Sequence, residues 1–141
     1  MERRKFIRDG CGLCIGLAGG SALMSLLNSC SPVPFYKTVS ADSKLSVPLS
    51  QFGESNYMIA QPSDLSYDVA IVKTGEASYI SFIMKCTHAD NPVRFNGKEF
   101  RCDLHGSIFS RLGEVKTGPA SRNLIRLRTE KKEDTLIIHL V

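Results

Sequence analysis

Two cysteine–histidine pairs lie close together within residues 85–107, KCTHADNPVRFNGKEFRCDLHGS. The first pair is Cys86 and His88, the second is Cys102 and His105, and thirteen residues separate the two pairs. Thiolate sulfur and imidazole nitrogen are both metal ligands, and each pair is short enough to lie on one loop. The spacing therefore predicts that two loops hold one metal centre between them.

The order of the ligands distinguishes two kinds of metal centre. Structural zinc sites usually group cysteine with cysteine and histidine with histidine. In this chain each pair contains one residue of each type. In a Rieske 2Fe-2S centre one iron takes two cysteines and the other takes two histidines, so each loop supplies one ligand to each iron. The mixed pairs favour this iron–sulfur centre, and a structural zinc module is the weaker alternative.

The motifs CTH, CDLHGS and GPA, the last at residues 118–120, resemble those of the Rieske iron–sulfur family. The resemblance covers roughly residues 44–141, and the paired motifs are highly specific. It implies one 2Fe-2S cluster per chain with four ligands, two on each iron: Cys86 with Cys102, and His88 with His105.

The resemblance also implies supporting roles around the cluster. Ser107 is similar to a serine that donates a hydrogen bond to a bridging sulfide, and residues 118–120 to a loop that covers the cluster. Two cysteines that form a disulfide between the cluster loops in some members are replaced by Asn91 and Leu104, and a tyrosine that donates to a ligand sulfur is replaced by Phe109. Because both features are missing, we expect a reduction potential in the lower part of the Rieske range of about −150 to +300 mV.

Short runs of β-type residues, separated by turn residues, surround the two pairs. They are LSVPLSQF, NYMIAQ, YDVAIVKT and ASYISFIMK before the pairs, and RNLIRLRTE and TLIIHLV after them. The KKED segment predicts a hairpin turn between the last two runs, and Asn96-Gly97 predicts a two-residue hairpin turn between the pairs. We expect an all-β fold. The resemblance implies a Rieske-type antiparallel β-sandwich with a small cluster-binding subdomain, at about residues 86–120, inserted between strands.

The N-terminal residues have the layout of an export signal. Residues 2–8 are ERRKFIR, and the stretch after Asp9, GCGLCIGLAGGSALMSLL, carries no charge. Arg3 and Arg4 resemble the paired arginines of a twin-arginine signal. We therefore expect residues 1–29 to direct export across the cytoplasmic membrane.

Cys30 ends a segment, LLNSC, that resembles a lipoprotein cleavage box. On this interpretation Cys30 carries the lipid, and residues 30–43, which are rich in proline and small polar residues, form a tether to a Rieske domain at residues 44–141. The alternative is an uncleaved signal anchor, since the uncharged run is just long enough to cross a bilayer as a helix. Both interpretations tether the domain to the membrane on its periplasmic side.

Length and charge restrict the classes of function. A chain of 141 residues has room for one domain after the signal, and a formal net charge of +4 does not indicate nucleic acid as a partner. The resemblance implies one-electron transfer with redox protein partners and no enzymatic activity by this chain alone. The alternative is the electron-transfer subunit of a larger oxidoreductase: a quinol-oxidising cytochrome complex, a molybdenum oxidase or an oxygenase. An oxygenase needs a further iron, usually held by two histidines and a carboxylate, and beyond the paired histidines only His139 remains.

Overall fold

The computed structural model describes residues 33–141. The expected export signal at residues 1–29 and the expected lipidation site at Cys30 therefore lie outside the described residues. Among the described residues, no helix is long and apolar enough to cross a membrane.

The described chain is built from short strands, together with one 3-10 helix at Leu49–Phe52. The strands are β1 (Phe35–Thr38), β2 (Lys44–Pro48), β3 (Tyr57–Pro62), β4 (Val69–Lys73), β5 (Tyr79–Ile83), β6 (Arg94–Phe95), β7 (Glu99–Arg101), β8 (Ile108–Ser110), β9 (Val115–Thr117), β10 (Arg126–Lys132) and β11 (Thr135–His139).

These strands form two sheets. A seven-stranded sheet has the order β1-β3-β4-β5-β10-β11-β2, and a four-stranded sheet has the order β6-β7-β8-β9. Every pairing is antiparallel except that of β1 with β3, which is parallel. The four-stranded sheet lies in the chain between β5 and β10, which are neighbours in the large sheet. The predicted all-β sandwich with an inserted subdomain is confirmed.

The large sheet buries apolar side chains on both faces, which explains why β4 reads as an unbroken apolar run. Ala70 and Val72 of β4 belong to a first core, which also contains the phenylalanines of the small sheet. Val69 and Ile71 point the other way, into a second core with β2, β10 and β11. The first core therefore joins the two sheets, and it includes the candidate ligands Cys86 and Cys102.

The two predicted hairpin turns form with small differences in length. Lys132 pairs with Thr135, so the turn of the last hairpin contains only two of the four KKED residues. In the hairpin between the cysteine–histidine pairs, the Asn96 N–H donates to the Glu99 carbonyl at 3.2 Å. This bond encloses Gly97 and Lys98, so the turn lies one position later than the predicted Asn96-Gly97. The Asn96 side-chain oxygen supports it by accepting from the backbone N–H groups of both Lys98 and Glu99 at 2.9 Å.

The first predicted strand run, LSVPLSQF, also ends earlier than expected. The strand stops at Pro48, and the remaining four residues form the 3-10 helix. Phe52, the last residue of that helix, is buried in the second core. The apolar residue at this position therefore anchors a helical turn and does not extend the strand.

The segment expected to be a tether, residues 30–43, differs from that expectation because part of it folds onto the domain. Residues 35–38 form β1. The Ile59 N–H donates to the Pro34 carbonyl and the Ser63 N–H to the Thr38 carbonyl, both at 3.0 Å. Tyr36 packs against the second core, which gives this segment a reason to be ordered.

Candidate metal centre

The first cysteine–histidine pair lies on a loop that closes on itself through the backbone of Cys86. The Cys86 carbonyl accepts from the Asp90 N–H at 2.8 Å, and the Cys86 N–H donates to the Asn91 carbonyl at 2.7 Å. Lys85 and Pro92 form an isolated β-bridge at the base of the loop. The loop is therefore fixed at both ends by main-chain hydrogen bonds.

The second pair lies on a loop with the same hydrogen-bond pattern. The Cys102 carbonyl accepts from the Gly106 N–H at 3.0 Å, and the Cys102 N–H donates to the Ser107 carbonyl at 2.9 Å. At its base Arg101 pairs with Ile108, as part of the β7–β8 hairpin. Each of these positions lies sixteen residues after its counterpart in the first loop. The two ligand loops are thus a structural repeat.

Both loops turn through a left-handed backbone position at the same place. Asp90 has φ of 54° and Gly106 has φ of 80°. Glycine adopts this conformation without strain, whereas an aspartate does so at some cost. The turns project His88 and His105 outward together, with ring centroids 4.9 Å apart and ring planes at 88°.

Burial separates the two kinds of candidate ligand. Cys86 and Cys102 are both 1% exposed and lie in the first core as free thiols. Both histidines are exposed. Two buried thiols and two exposed imidazoles fit a centre of two metal ions, with the cysteine-bound ion inside and the histidine-bound ion outside.

A single tetrahedral ion fits this arrangement less well. Within residues 33–141 no group of three or more histidine, cysteine, aspartate or glutamate side chains converges to hold one metal ion. A structural zinc site needs four ligands around one point. A 2Fe-2S centre needs only two protein ligands at each iron and does not require four ligands around one point.

The segment at residues 118–122 is bonded to both ligand loops. On the second loop, the fully buried Ser107 hydroxyl oxygen accepts from the Ala120 N–H at 3.0 Å. On the first loop, the Thr87 hydroxyl donates to the Arg122 carbonyl at 2.5 Å, and the Arg122 guanidinium donates back to the Thr87 carbonyl at 3.4 Å. The segment is therefore hydrogen-bonded to both ligand loops, and the role that the resemblance implied for residues 118–120, covering the cluster, stays a prediction.

Thr87 and Arg122 were not predicted as site residues. They are 35 positions apart, and neither has a local sequence pattern that indicates their contact.

Asn91, Leu104 and Phe109 stand where some family members have the two disulfide cysteines and the tyrosine. Asn91 donates from its side chain to the Ala89 carbonyl at 2.9 Å, and Leu104 is 61% exposed. Phe109 is fully buried in the same core cluster as Cys86 and Cys102. That Phe109 occupies the place of a tyrosine near the ligand sulfurs stays a prediction.

Surface ion pairs surround the hairpins of the small sheet. Arg94 pairs with Asp103 at 2.8 Å, and Glu99 contacts Arg101 at 3.1 Å and Lys116 at 3.5 Å. The hydrogen bond from Arg101, with a smaller contribution from Lys116, holds the pKa of the Glu99 carboxyl below its usual value. Exposed pairs of this kind contribute little to stability. They leave the buried thiols and the Ser107 hydroxyl as the distinctive polar groups of the site.

Comparison with known proteins decides the family. The model of the Rieske [2Fe-2S] domain matches residues 48–129, which include both ligand loops and the covering segment. This chain belongs to the Rieske family. The Rieske domain implies a Rieske 2Fe-2S cluster as its cofactor and electron transfer as its function.

Individual relatives agree with this family. The ubiquinol-cytochrome c reductase iron-sulfur subunit of Bradyrhizobium diazoefficiens is 25% identical over 151 aligned residues, which cover 86% of this chain and 85% of that protein. The structure of the plasma membrane Rieske protein PetC3 from Synechocystis PCC 6803 has a TM-score of 0.55 at 20% identity, covering 65% of this chain and 94% of that one. The complex of oxygenase and ferredoxin in carbazole 1,9a-dioxygenase contains a chain with a TM-score of 0.52 at 18% identity, covering 70% of this chain and 94% of that one. These two structures share the Rieske fold.

Proposed function

We propose that this protein is an exported, membrane-tethered carrier of single electrons, with its cluster held by the four paired residues Cys86, His88, Cys102 and His105. The observation that carries the proposal is the repeated loop, which brings two buried thiols and two exposed imidazoles to the same end of the small sheet. When bound, the 2Fe-2S cluster accepts and releases one electron.

The cysteines, the histidines and Ser107 would each have a different role at the cluster. Cys86 and Cys102 would hold the inner iron as thiolates, and their burial in the first core excludes water from the sulfurs. His88 and His105 would hold the outer iron and present their ring edges to solvent, where a redox partner can approach. Ser107 would donate its hydroxyl proton toward the cluster, since its oxygen already accepts from the Ala120 N–H.

Cluster loading of single-residue variants tests these ligand roles. Purified full-length protein should contain two irons and two acid-labile sulfides per chain, the content of a 2Fe-2S cluster. Cys86→Ser and His105→Ala should lose both. His139→Ala is the matched control because its histidine lies in β11 of the large sheet, between β10 and β2 and outside both ligand loops, and it should keep the full content. Zinc in place of iron, or full loading of His105→Ala, would contradict the assignment.

Export by the twin-arginine route is the second part of the proposal. It is supported by the Arg3-Arg4 pattern and suits a cofactor protein, because this route carries folded proteins and allows the cluster to be inserted before transport. Changing both arginines to lysine should leave cluster-loaded protein in the cytoplasm. Cell fractionation that finds the double variant exported at the wild-type level would exclude this route.

Lipid anchoring at Cys30 is the third part, and the LLNSC segment supports it. Cys30→Ala should abolish incorporation of labelled fatty acid and yield either a soluble form or an unprocessed precursor. A wild-type protein that is never labelled, and stays in the membrane with its signal intact, would favour the uncleaved anchor.

A second candidate function is that of the Rieske subunit in a quinol-oxidising cytochrome complex, because the bacterial relative bears that name. The absence of cysteine at positions 91 and 104 distinguishes this chain from members with a disulfide between the loops. Gentle solubilisation of native membranes followed by affinity purification of this chain would separate the candidates. Recovery with a cytochrome b and a cytochrome c favours the complex, and recovery without them favours an independent carrier.

A further inference from the structure

Strand β1 presents a row of exposed side chains that nothing in the described residues covers. Phe35 is 59% exposed, Val39 just after the strand is 62% exposed, and Lys37 between them is exposed as well. Alternation along the strand turns Tyr36 to the opposite face, where it packs against the second core. β1 is the outermost strand of the large sheet, so no further strand of the described chain pairs with its outer edge. We call these three exposed side chains the β1 face.

The β1 face combines aromatic, aliphatic and cationic side chains. An aromatic ring and a branched aliphatic side chain flank a lysine that forms no ion pair within residues 33–141. A shallow groove of about 530 Å³ runs beside the row, between the end of β1 and residues 61–63, and no carboxylate lines it. Phenylalanine and aliphatic side chains of membrane-surface segments enter the boundary between headgroups and acyl chains, and lysine is attracted to anionic headgroups.

The chain itself limits how far the β1 face can be from an anchor. Only Ser31 and Pro32 separate Cys30 from Val33, and Val33 already packs against the first core. At about 3.6 Å per residue, the connection from Cys30 to Val33 spans at most about 11 Å. Phe35 follows two residues later. If Cys30 carries the lipid, only this short connection lies between the membrane and the domain.

We propose that the β1 face rests on the surface of the membrane that anchors the chain, with Lys37 against anionic phospholipid headgroups and Phe35 and Val39 in the interfacial layer. This inference rests on the proposed anchoring. It changes the expected role of residues 30–43, because a chain docked through residues 35–39 is a short connection and not a long, swinging tether.

The same docking brings the small sheet, which carries both ligand loops, to the membrane side of the large sheet. Phe35 is in register with Ile59 of β3, and Ile59 belongs to the first core, on which the small sheet packs. Side chains of paired residues point to the same face of a sheet. The β1 face and the small sheet therefore lie on the same side of the large sheet. The redox partner should accordingly also lie in this membrane or on its surface.

Tryptophan fluorescence tests the docking, because the chain contains no tryptophan. The full-length holoprotein is prepared as Phe35→Trp and, as a matched control, as Ile125→Trp. Ile125 is 45% exposed and directly precedes β10, which β3, β4 and β5 separate from β1 in the large sheet. Both are reconstituted in vesicles of phosphatidylethanolamine and phosphatidylglycerol in equal parts, with plain or brominated acyl chains, and vesicle flotation measures anchoring.

We expect brominated lipid to quench most of the emission of Phe35→Trp and to leave that of Ile125→Trp unchanged. Adding Lys37→Glu to Phe35→Trp should restore much of the emission on these anionic vesicles while the protein still floats with them. Floating protein whose two tryptophan variants are quenched equally, or not at all, would overturn the docking and leave the anchoring intact. Protein that does not float with vesicles would overturn both.

Discussion

Replacing Ser107 with alanine tests how the site controls its cofactor. The Ser107 hydroxyl is fully buried, and its oxygen accepts from the Ala120 N–H at 3.0 Å. No other described group takes its proton, which leaves that proton available to a cluster sulfur. Ser107→Ala removes the hydroxyl and leaves the buried Ala120 N–H without its partner.

The expected changes in the reduction potential and in the free energy of unfolding follow from these two losses. A donor to the cluster stabilises the reduced state more than the oxidised state, because reduction adds negative charge. If the net worth of a hydrogen bond, about 0.5 to 1.5 kcal/mol, is taken as the difference between redox states, the potential should fall by about 20 to 65 mV at roughly 59 mV per 1.4 kcal/mol. The unpaired Ala120 N–H should also lower the free energy of unfolding by about 1 to 3 kcal/mol.

Cyclic voltammetry and thermal unfolding of the holoprotein measure the two effects separately. Ser81→Ala is the matched control, since Ser81 is also a fully buried serine whose hydroxyl oxygen accepts a hydrogen bond, from Thr129 at 2.8 Å. The control should lose stability and keep its potential. A Ser107→Ala potential equal to that of Ser81→Ala would refute the donor role, even if both variants are destabilised.

Three further predictions concern other described residues. Phe109→Tyr should raise the potential by about 20 to 65 mV on the same scale, measured by voltammetry, if its hydroxyl reaches a ligand sulfur; no rise would place the ring out of reach. Gly113→Ala should lower the free energy of unfolding by about 2 to 5 kcal/mol, measured with denaturant, because its new Cβ would lie 2.6 Å from the Phe82 ring at a φ of +79°. In the control Gly53→Ala the new Cβ meets no atom within 4 Å, and the loss should be about 1 to 2 kcal/mol. Hydrogen bonds from Ser40 lower the pKa of Asp64, so this contact stabilises the fold above the carboxyl's ordinary pKa and is lost as the pH falls below about 4. Amide protection factors near β1, corrected for the intrinsic pH dependence of exchange, should fall in acid, and Asp64→Asn should remove that fall.

The features that the sequence predicted are those that depend on local residue patterns. Asn96-Gly97 forms its hairpin because the amide of Asn96 and the left-handed backbone of Gly97 favour a turn within a few residues. The two ligand pairs lie on loops at the ends of that hairpin, as their spacing required. Short runs of β-type residues bounded by turn residues similarly identified most strands of the large sheet.

The features that the sequence did not predict depend on distant contacts. Strand β1 is ordered by parallel pairing with residues 24 positions later, and nothing within FYKT indicates that partner. The link between Thr87 and Arg122 spans 35 positions. The repeat of the two loops is hidden because cysteine is the only residue type that residues 85–92 share with residues 101–108 at equivalent positions. Backbone hydrogen bonds, which are largely independent of side-chain identity, carry that repeat.

Pulsed EPR spectroscopy of the reduced full-length protein, grown with nitrogen-15 histidine, tests the central assignment most directly. The chain has only three histidines, so the labelled signals are few. A cluster held by His88 and His105 predicts a paramagnetic reduced centre coupled to two histidine nitrogens. A reduced protein with no histidine nitrogen coupled to its iron, or a protein that contains zinc and gives no signal, would contradict the account.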